Sequence, residues 1–362
     1  MRIGLIAPPW VPVPPIGYGG TEGVVDRLAR GLQSAGEDVV LFTTGDSTCP
    51  VPRRWVYEQP QEPMGIDVAE ARHLARAYQA LADCDVIHDH TLLGPFIAPG
   101  DLPVVTTHHG PFTPEFREIY GAVASRASII AISRSQRAEA PELPIAAVIH
   151  HGIDPEAFPV GTGGGGYLLF LGRMAPEKGA HRAIEVARRA GLPLVIAAKM
   201  RDPEELGYFS ECVKPHLGPA IEYVGEVHQD DKLALLGGAR ALLNPITWAE
   251  PFGLVMVEAL ACGTPVLTFP NGAAPEIIEH GRTGWWCQDV DGMAAAARQI
   301  DLLDRADCRA AVEGHFSSRR MVDEHLVVYR SILQEGPSAL SRRMVGAENC
   351  GRISPPGERG SS

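Results

Sequence analysis

Short, continuously apolar runs alternate with segments of helical spacing along almost the whole chain, and this alternation restricts the fold to parallel α/β architecture. In the first half the runs are RIGLIA (2–7), DVVLFT (38–43), DVIH (85–88), PVVTTH (103–108), SIIAIS (128–133) and IAAVIH (145–150). In the second half they are YLLFLG (167–172), LPLVIAA (192–198), IEYVG (221–225), ARALLNP (239–245) and TPVLTF (264–269). Strands that are apolar throughout lie in sheets covered by helices on both faces. Between the first two runs, Val24, Val25, Leu28 and Leu32 repeat at helical spacing, with Thr21 placed to cap the start and Gly36 to end the helix. Helical stretches are also expected over 179–190 and 252–262.

A chain of 362 residues is too long for one ordinary core and suits two domains. The seam falls at GTGGGG (161–166), which reads as a flexible linker just before a new strand. The expected units are residues 1–160 and 166–316, two similar α/β layers whose ligands sit beyond the carboxyl ends of the strands. Two such sheets facing each other make one cleft. An amphipathic helix is expected over 317–334. Residues 335–362, rich in Gly, Ser, Pro and Arg without hydrophobic period, read as a disordered tail.

Lys plus Arg is 32 against 44 Asp plus Glu, a formal net charge of −12, which argues against a nucleic-acid partner. No run approaches the roughly 18–20 apolar residues of a transmembrane helix. The start MRIGLIAPPW lacks the layout of a signal peptide. Cys49, Cys84, Cys212, Cys262, Cys287, Cys308 and Cys350 are scattered and form no CxxC pair, so they read as reduced thiols in a cytoplasm, with no zinc site.

The most informative segment is NPITWAEPFGLVMVEALACGTPVL (244–267). A helix starting near Phe252 exposes the backbone N–H groups of Phe252, Gly253 and Leu254, which favour an anion such as phosphate. Glu258 sits among Val255, Met256, Val257 and Leu260, and a carboxylate there can accept two hydrogen bonds from a ribose diol. The plainer reading makes Glu250 a helix-terminus charge and Glu258 part of a solvated face. In LGRMAPEKGAHRAIEVA (171–187), Arg173 follows a strand and Lys178 stands at a helix start, where the dipole opposes a cation unless an anion lies between. The alternative there is an Arg173–Glu177 surface ion pair. In PPWVPVPPIGYGGTEGVV (8–25), Gly19 and Gly20 offer open backbone at a helix start. Glu22 stands where a dinucleotide fingerprint needs its third glycine, so a nicotinamide site is not expected. HDH (88–90) and THHG (107–110) place histidines at strand ends, either as structural residues or as hydrogen-bond donors in the cleft; as a metal motif they are weak. DVDG (289–292) reads as a loop and helix cap.

Taken in order, VIHHGID (148–154), GRMAPEKG (172–179), the E-x7-E pair Glu250 and Glu258, and NGAAPEIIEHGRTGWW (271–286) resemble the retaining family 4 glycosyltransferases of the GT-B fold, over residues 1 to about 334. The resemblance implies two Rossmann-like domains facing a central cleft. It implies that Glu258 grips the nucleotide ribose, Glu250 contacts the donor sugar, and Arg173 and Lys178 neutralise the diphosphate. Phe252, Gly253 and Leu254 would be the backbone cradle, and Gly19 and Gly20 the glycine loop beside the phosphates and acceptor. His109 matches the histidine near the reacting sugar, with His108 as the alternative register. It further implies a nucleotide-diphosphate sugar as co-substrate, UDP by the family's habit, with no obligatory metal and an acceptor hydroxyl entering from the first domain. The last helix would cross back to that domain. Pro251 and Trp248 depart from the family pattern ahead of FG. The richness in Ala, Arg, Gly and Pro points to a high-GC bacterium, and compact members of this kind include actinobacterial enzymes that decorate natural products such as oligosaccharide antibiotics. Two other readings of the same scaffold are a nucleotide-sugar epimerase or hydrolase, which turns over without an acceptor, and a non-catalytic nucleotide-sugar-binding protein.

Overall fold

The computed structural model describes residues 1–17, 19–65 and 67–335. Strands β1 (Arg2–Ile6), β2 (Asp38–Thr43), β3 (Arg53–Trp55), β4 (Val86–Asp89), β5 (Val104–Thr107), β6 (Ala127–Ala131) and β7 (Ile145–Val148) form one sheet in the order β3-β2-β1-β4-β5-β6-β7. Strands β8 (Leu168–Arg173), β9 (Leu194–Lys199), β10 (Ile221–Gly225), β11 (Ala241–Asn244), β12 (Val266–Thr268) and β13 (Gly284–Trp286) form a second, in the order β10-β9-β8-β11-β12-β13. Pairing is parallel throughout the described strands. Each apolar run of the sequence supplies one of these strands. β3 and β13 were not expected: each is a three-residue piece at a sheet edge, RRW and GWW, too short to carry a pattern.

The strand order decides where a ligand can sit. In the first sheet the direction of winding reverses between β1 and β4, and in the second between β8 and β11. Such a reversal opens a crevice beyond the strand ends, because the loops on either side of it leave in opposite directions. The carboxyl ends of these four strands and the loops that leave them carry the glycine segment, HDH, Arg173 to Lys178, and Glu250 to Gly253.

Two local expectations are corrected. The first helix spans Gly20–Ser34 with Gly19 at its cap and no side-chain capping bond, so Thr21 lies inside the helix and does not cap it. Gly36 does follow its end, with φ +88. The glycine run at the seam is packed, not free. Gly161, Gly163 and Gly165 donate their N–H groups to Cys262, Gly237 and Gly238. A Cβ on Gly161 would fall 2.2 Å from the Gly237 oxygen. At Gly161 and Gly165 backbone meets backbone too closely for a side chain.

The final helix, Ser318–Glu335, lies against the helix Gly20–Ser34. Met321, Val322, Leu326, Tyr329 and Ile332 join the core made by Ile3, Leu5, Val25 and Leu28. A Cβ on Gly31 would come within 2.4 Å of Val322, so the missing side chain lets the two helices touch. Burying each such side chain contributes about 1.5–3 kcal/mol. Of the tail expected over 335–362, Glu335 ends this helix and the remainder lies outside the described residues. Among the described residues no helix is long and apolar enough to cross a membrane.

Candidate active site

Three loops meet at the carboxyl end of the second sheet. Arg182 sews two of them together: it donates to Pro245 O (2.8 Å) and Thr247 Oγ1 (3.3 Å) on one side, and to Pro176 O (3.1 Å) and Glu177 O (3.2 Å) on the other. Gly179, at φ +84, is a required glycine, since a Cβ there would lie 2.6 Å from the Pro245 oxygen. The third loop locks the backbone of Glu250, whose carbonyl accepts from Ala273 N at 2.9 Å. Lys178 and Glu250 are thereby brought together from 72 residues apart, and their side chains form an ion pair that is mostly buried. Trp248 completes the group. Its indole N–H donates to Glu250 Oε2 at 3.0 Å, and the Lys178 ammonium sits 4.9 Å from the ring centre.

Arg173 stands apart from that group. It donates to Glu177 Oε1 at 2.7 Å and lies 3.5 Å from Glu205 Oε1. The Arg173–Glu177 pair weighed from the sequence is thus present. An exposed pair of this kind is worth about 1 kcal/mol or less, so a multivalent anion can displace it.

The helix after Glu250 spans Leu254–Ala261 with Gly253 as its cap at φ +96, so it begins two residues later than expected. The left-handed turn that only glycine accepts readily delays the start. The first-turn N–H groups of Leu254 and Val255 have no partner within the helix and favour an anion. Phe252 does not belong to the helix. Its buried ring packs near His151 (5.0 Å between centres), His150 (5.7 Å) and Phe316 (6.3 Å). Glu258, one turn into the helix, accepts from Lys232 Nζ at 2.9 Å. Arg27 of the first domain adds a second cation: burial lowers its pKa, while the charges of Glu258 and Asp26 work to raise it. Arg27 Nε also donates to Gly152 O at 3.1 Å.

From the first domain, Gly20 approaches the start of that helix, and a Cβ on it would lie 3.8 Å from Leu254 Cδ1. The two helix starts are therefore neighbours. Gly17 faces Glu226 of the second domain, and Gly19 packs on Pro15 too closely for a side chain. Glu22 is buried in the first turn behind these glycines. Burial pushes its pKa up to about 7, against its own backbone hydrogen bond and the charge of Lys199 at the end of β9.

Histidines line the first-domain side. His109 is partly exposed, and its Nε2 lies 3.0 Å from His90 Nδ1; its ring stacks on His151, which in turn meets Phe252. Among the described residues His90 Nε2 is buried with no partner. A bare lone pair there costs less than an orphaned N–H, so His90 is the donor of the shared bond. His109 then carries its proton on Nδ1. His108 is buried, with its Nε2 3.1 Å from Pro111 O, and turns into its own domain. Burial pushes His109 down to about 3 and His108 to about 4, so both are neutral near pH 7.

Glu250 and Lys178 therefore meet directly; Glu258, Leu254 and Gly20 gather round the second helix start; Arg173 is the outlier. Lys232, Arg27 and His151 were not singled out from sequence as members of the site, whereas His90 and Trp248 were noted there without these partners. Arg27 left no trace, since its neighbours on the helix face are Gly23, Val24, Arg30 and Gly31. Lys232, in the polar stretch QDDK, left none. Among the described residues no group of three or more His, Cys, Asp or Glu is placed to hold a metal ion.

Comparison with known proteins agrees with this fold. The family model described as glycosyl transferases group 1 matches residues 158–313, and that of glycosyltransferase family 4 matches residues 18–157. A glycogen synthase of Mycobacterium tuberculosis is 30% identical over 348 residues, covering 79% of this chain and 83% of its own. AviGT4, a glycosyltransferase involved in avilamycin A biosynthesis, matches with a TM-score of 0.72 at 27% identity, over 92% of this chain and 98% of that one. HepE of Anabaena, solved with UDP and glucose, shares the fold with a TM-score of 0.73 at 19% identity, over 91% of this chain and 100% of that one. With both halves matched in order and a homologue aligned along most of its length, the chain belongs to the family 4 glycosyltransferases and is an enzyme of the GT-B fold.

Proposed function

We propose that the protein transfers a sugar from a UDP-sugar to a hydroxyl of a small-molecule or oligosaccharide acceptor, with retention of anomeric configuration and without an obligatory metal. The observation that carries this reading is the placement of two lysine–carboxylate couples, Lys178–Glu250 and Lys232–Glu258, on the elements that flank the start of the helix Leu254–Ala261. Glu258 accepts from the ribose diol, and Lys232 stays beside it. The diphosphate lies against the helix start, with Lys178 on one side and Arg173 drawn off Glu177. Charge-assisted hydrogen bonds of about 1.5–3 kcal/mol each sum to near-micromolar affinity, about 8 kcal/mol. Glu250 holds the sugar, and the N–H of His109 donates to it from the opposite domain. Gly19 and Gly20 leave room for the phosphates and the acceptor.

The bond from the anomeric carbon to the diphosphate oxygen breaks, and its electron pair leaves with the diphosphate. Lys178, Arg173 and the helix start stabilise that charge. The acceptor oxygen bonds to the anomeric carbon on the same face, and its proton passes to a diphosphate oxygen. The presence of UDP with HepE supports the choice of nucleotide, and the role of AviGT4 supports an acceptor from antibiotic biosynthesis. The six described cysteines are free, which fits a cytoplasmic setting.

Calorimetry with UDP, GDP and ADP tests the site, and UDP should bind best, with affinity lost on Glu258→Ala. Absence of binding by all three rejects the site. Proton NMR of the first-formed product should show the donor's configuration, and turnover should survive EDTA. An inverted product rejects retention, and EDTA-sensitive turnover rejects metal independence.

A further inference from the structure

By sequence Trp248 is a departure from the family pattern, bulky enough ahead of the first Glu to reshape the sugar pocket. In the structure it touches both groups on which the donor sugar depends. Its indole N–H donates to Glu250 Oε2, the same oxygen that accepts from Lys178 Nζ. Among the described residues nothing hydrogen-bonds to Glu250 Oε1. The carboxylate is held where it is. The Glu250 N–H donates to Trp248 O at 2.9 Å, and its carbonyl accepts from Ala273 N. Gly272 packs so tightly on this backbone that a Cβ would lie 2.3 Å from Glu250 N and O. The ring of Trp248 meanwhile covers one side of the Lys178 ammonium.

We propose that Trp248 is the positioning residue that sets donor-sugar selectivity: it commits one oxygen of Glu250 to the indole and Lys178, so that Oε1 alone is open to a sugar hydroxyl. This rests on the donor-site reading above. A carboxylate with both oxygens free can take hydroxyls from several directions. One with a single free oxygen on a locked backbone accepts from one direction, and an epimer whose hydroxyl points elsewhere loses its partner. A lost hydrogen bond to a charged group corresponds to roughly a 10- to 100-fold difference between epimers.

The test uses the full chain and a set of UDP-hexoses that differ at one carbon, UDP-glucose and UDP-galactose first. Trp248→Phe keeps the ring over Lys178 and removes the N–H. Selectivity between epimers, as the ratio of kcat/KM, should shrink about tenfold, chiefly through KM, while UDP affinity by calorimetry stays within about twofold. Trp248→Leu removes the ring as well and should also weaken UDP several-fold. An unchanged selectivity ratio in Trp248→Phe overturns the assignment. Wild-type protein that does not bind UDP overturns the donor-site reading instead. Should the variants not fold, the indole N–H resonance of Trp248 in the wild type decides: it should shift with UDP-sugar and stay put with UDP, and equal shifts with both count against the proposal.

Discussion

Lys178 and Lys232 each hold a carboxylate, so these charges of the site are paired among its own residues. Donor binding then adds a partner to one of these couples. Lys178 has three N–H donors, so it keeps Glu250 Oε2 and turns another toward a diphosphate whose charge grows during bond cleavage, which is why its contribution should appear in the transition state more than in the ground state. Lys178→Ala should lower kcat by about 10²- to 10³-fold, the usual cost of losing one donor to a developing anion, with a smaller rise in KM. Steady-state kinetics decide this, and near-wild-type turnover would remove Lys178 from the diphosphate. Lys178 and Glu250 were both legible by residue type and spacing. Their mutual contact was not, because it depends on two loops stitched together by Arg182.

The loop-to-helix junction at Gly253 shows how an element can be misplaced by two residues and still be recognised. Hydrophobic spacing predicts a helix from Phe252, but the φ of +96 at Gly253 postpones it to Leu254. A Cβ at this position would meet Met256 Cε at 2.6 Å and Glu250 Cγ at 3.5 Å. Gly253→Ala should therefore cost about 1–3 kcal/mol in stability and weaken UDP binding, since the new side chain presses on Glu250 and tilts the helix start. Thermal melts and calorimetry together check it; a variant with unaltered melting temperature and unaltered UDP affinity would contradict the strain argument. The glycine run 161–166 makes the same point in reverse. Composition reads it as a flexible linker, yet close backbone packing is what excludes side chains at Gly161 and Gly165.

The two domains are joined by a partly buried clasp. Glu276 of the second domain accepts from Arg134 N (2.9 Å) and Ser135 N (2.7 Å) at the start of a first-domain helix, and pairs with His150 Nε2 at 2.8 Å. Glu276→Ala should let the domains part, raising the radius of gyration in small-angle scattering and the KM for donor; an unchanged scattering profile would assign the clasp no such role. Acid should weaken the fold through another route. His73, His88, His90, His108, His109, His151 and His325 all have pKa values lowered, chiefly by burial, so the folded chain stays deprotonated where the unfolded chain takes up protons. Stability is then lost as pH falls below about 6.5, with a slope up to about 1.4 kcal/mol per pH unit for each histidine. Glu22 and Asp89, raised to about 7 and about 6 by burial, act with the opposite sign and lose stability as pH rises, but they are fewer. The melting temperature should fall steadily from pH 6.5 to 4, and a flat profile across that interval would contradict the neutral histidine stack.

Periodicity, glycine placement and the spacing of Glu250 and Glu258 arise from neighbours along the chain, so the α/β alternation, the last helix and the donor-side motifs can be read without coordinates. Edge strands of three residues cannot, because so short a segment has no period. Other features needed the folded chain. The winding reversals at β1/β4 and β8/β11, Lys232 against Glu258 across 26 residues, Arg27 against Gly152 across 125, and the histidine stack all join segments with no local mark of their partnership. Which strands lie side by side is settled by how the helical layers cover each sheet, an energy of the assembled layers that no single segment carries.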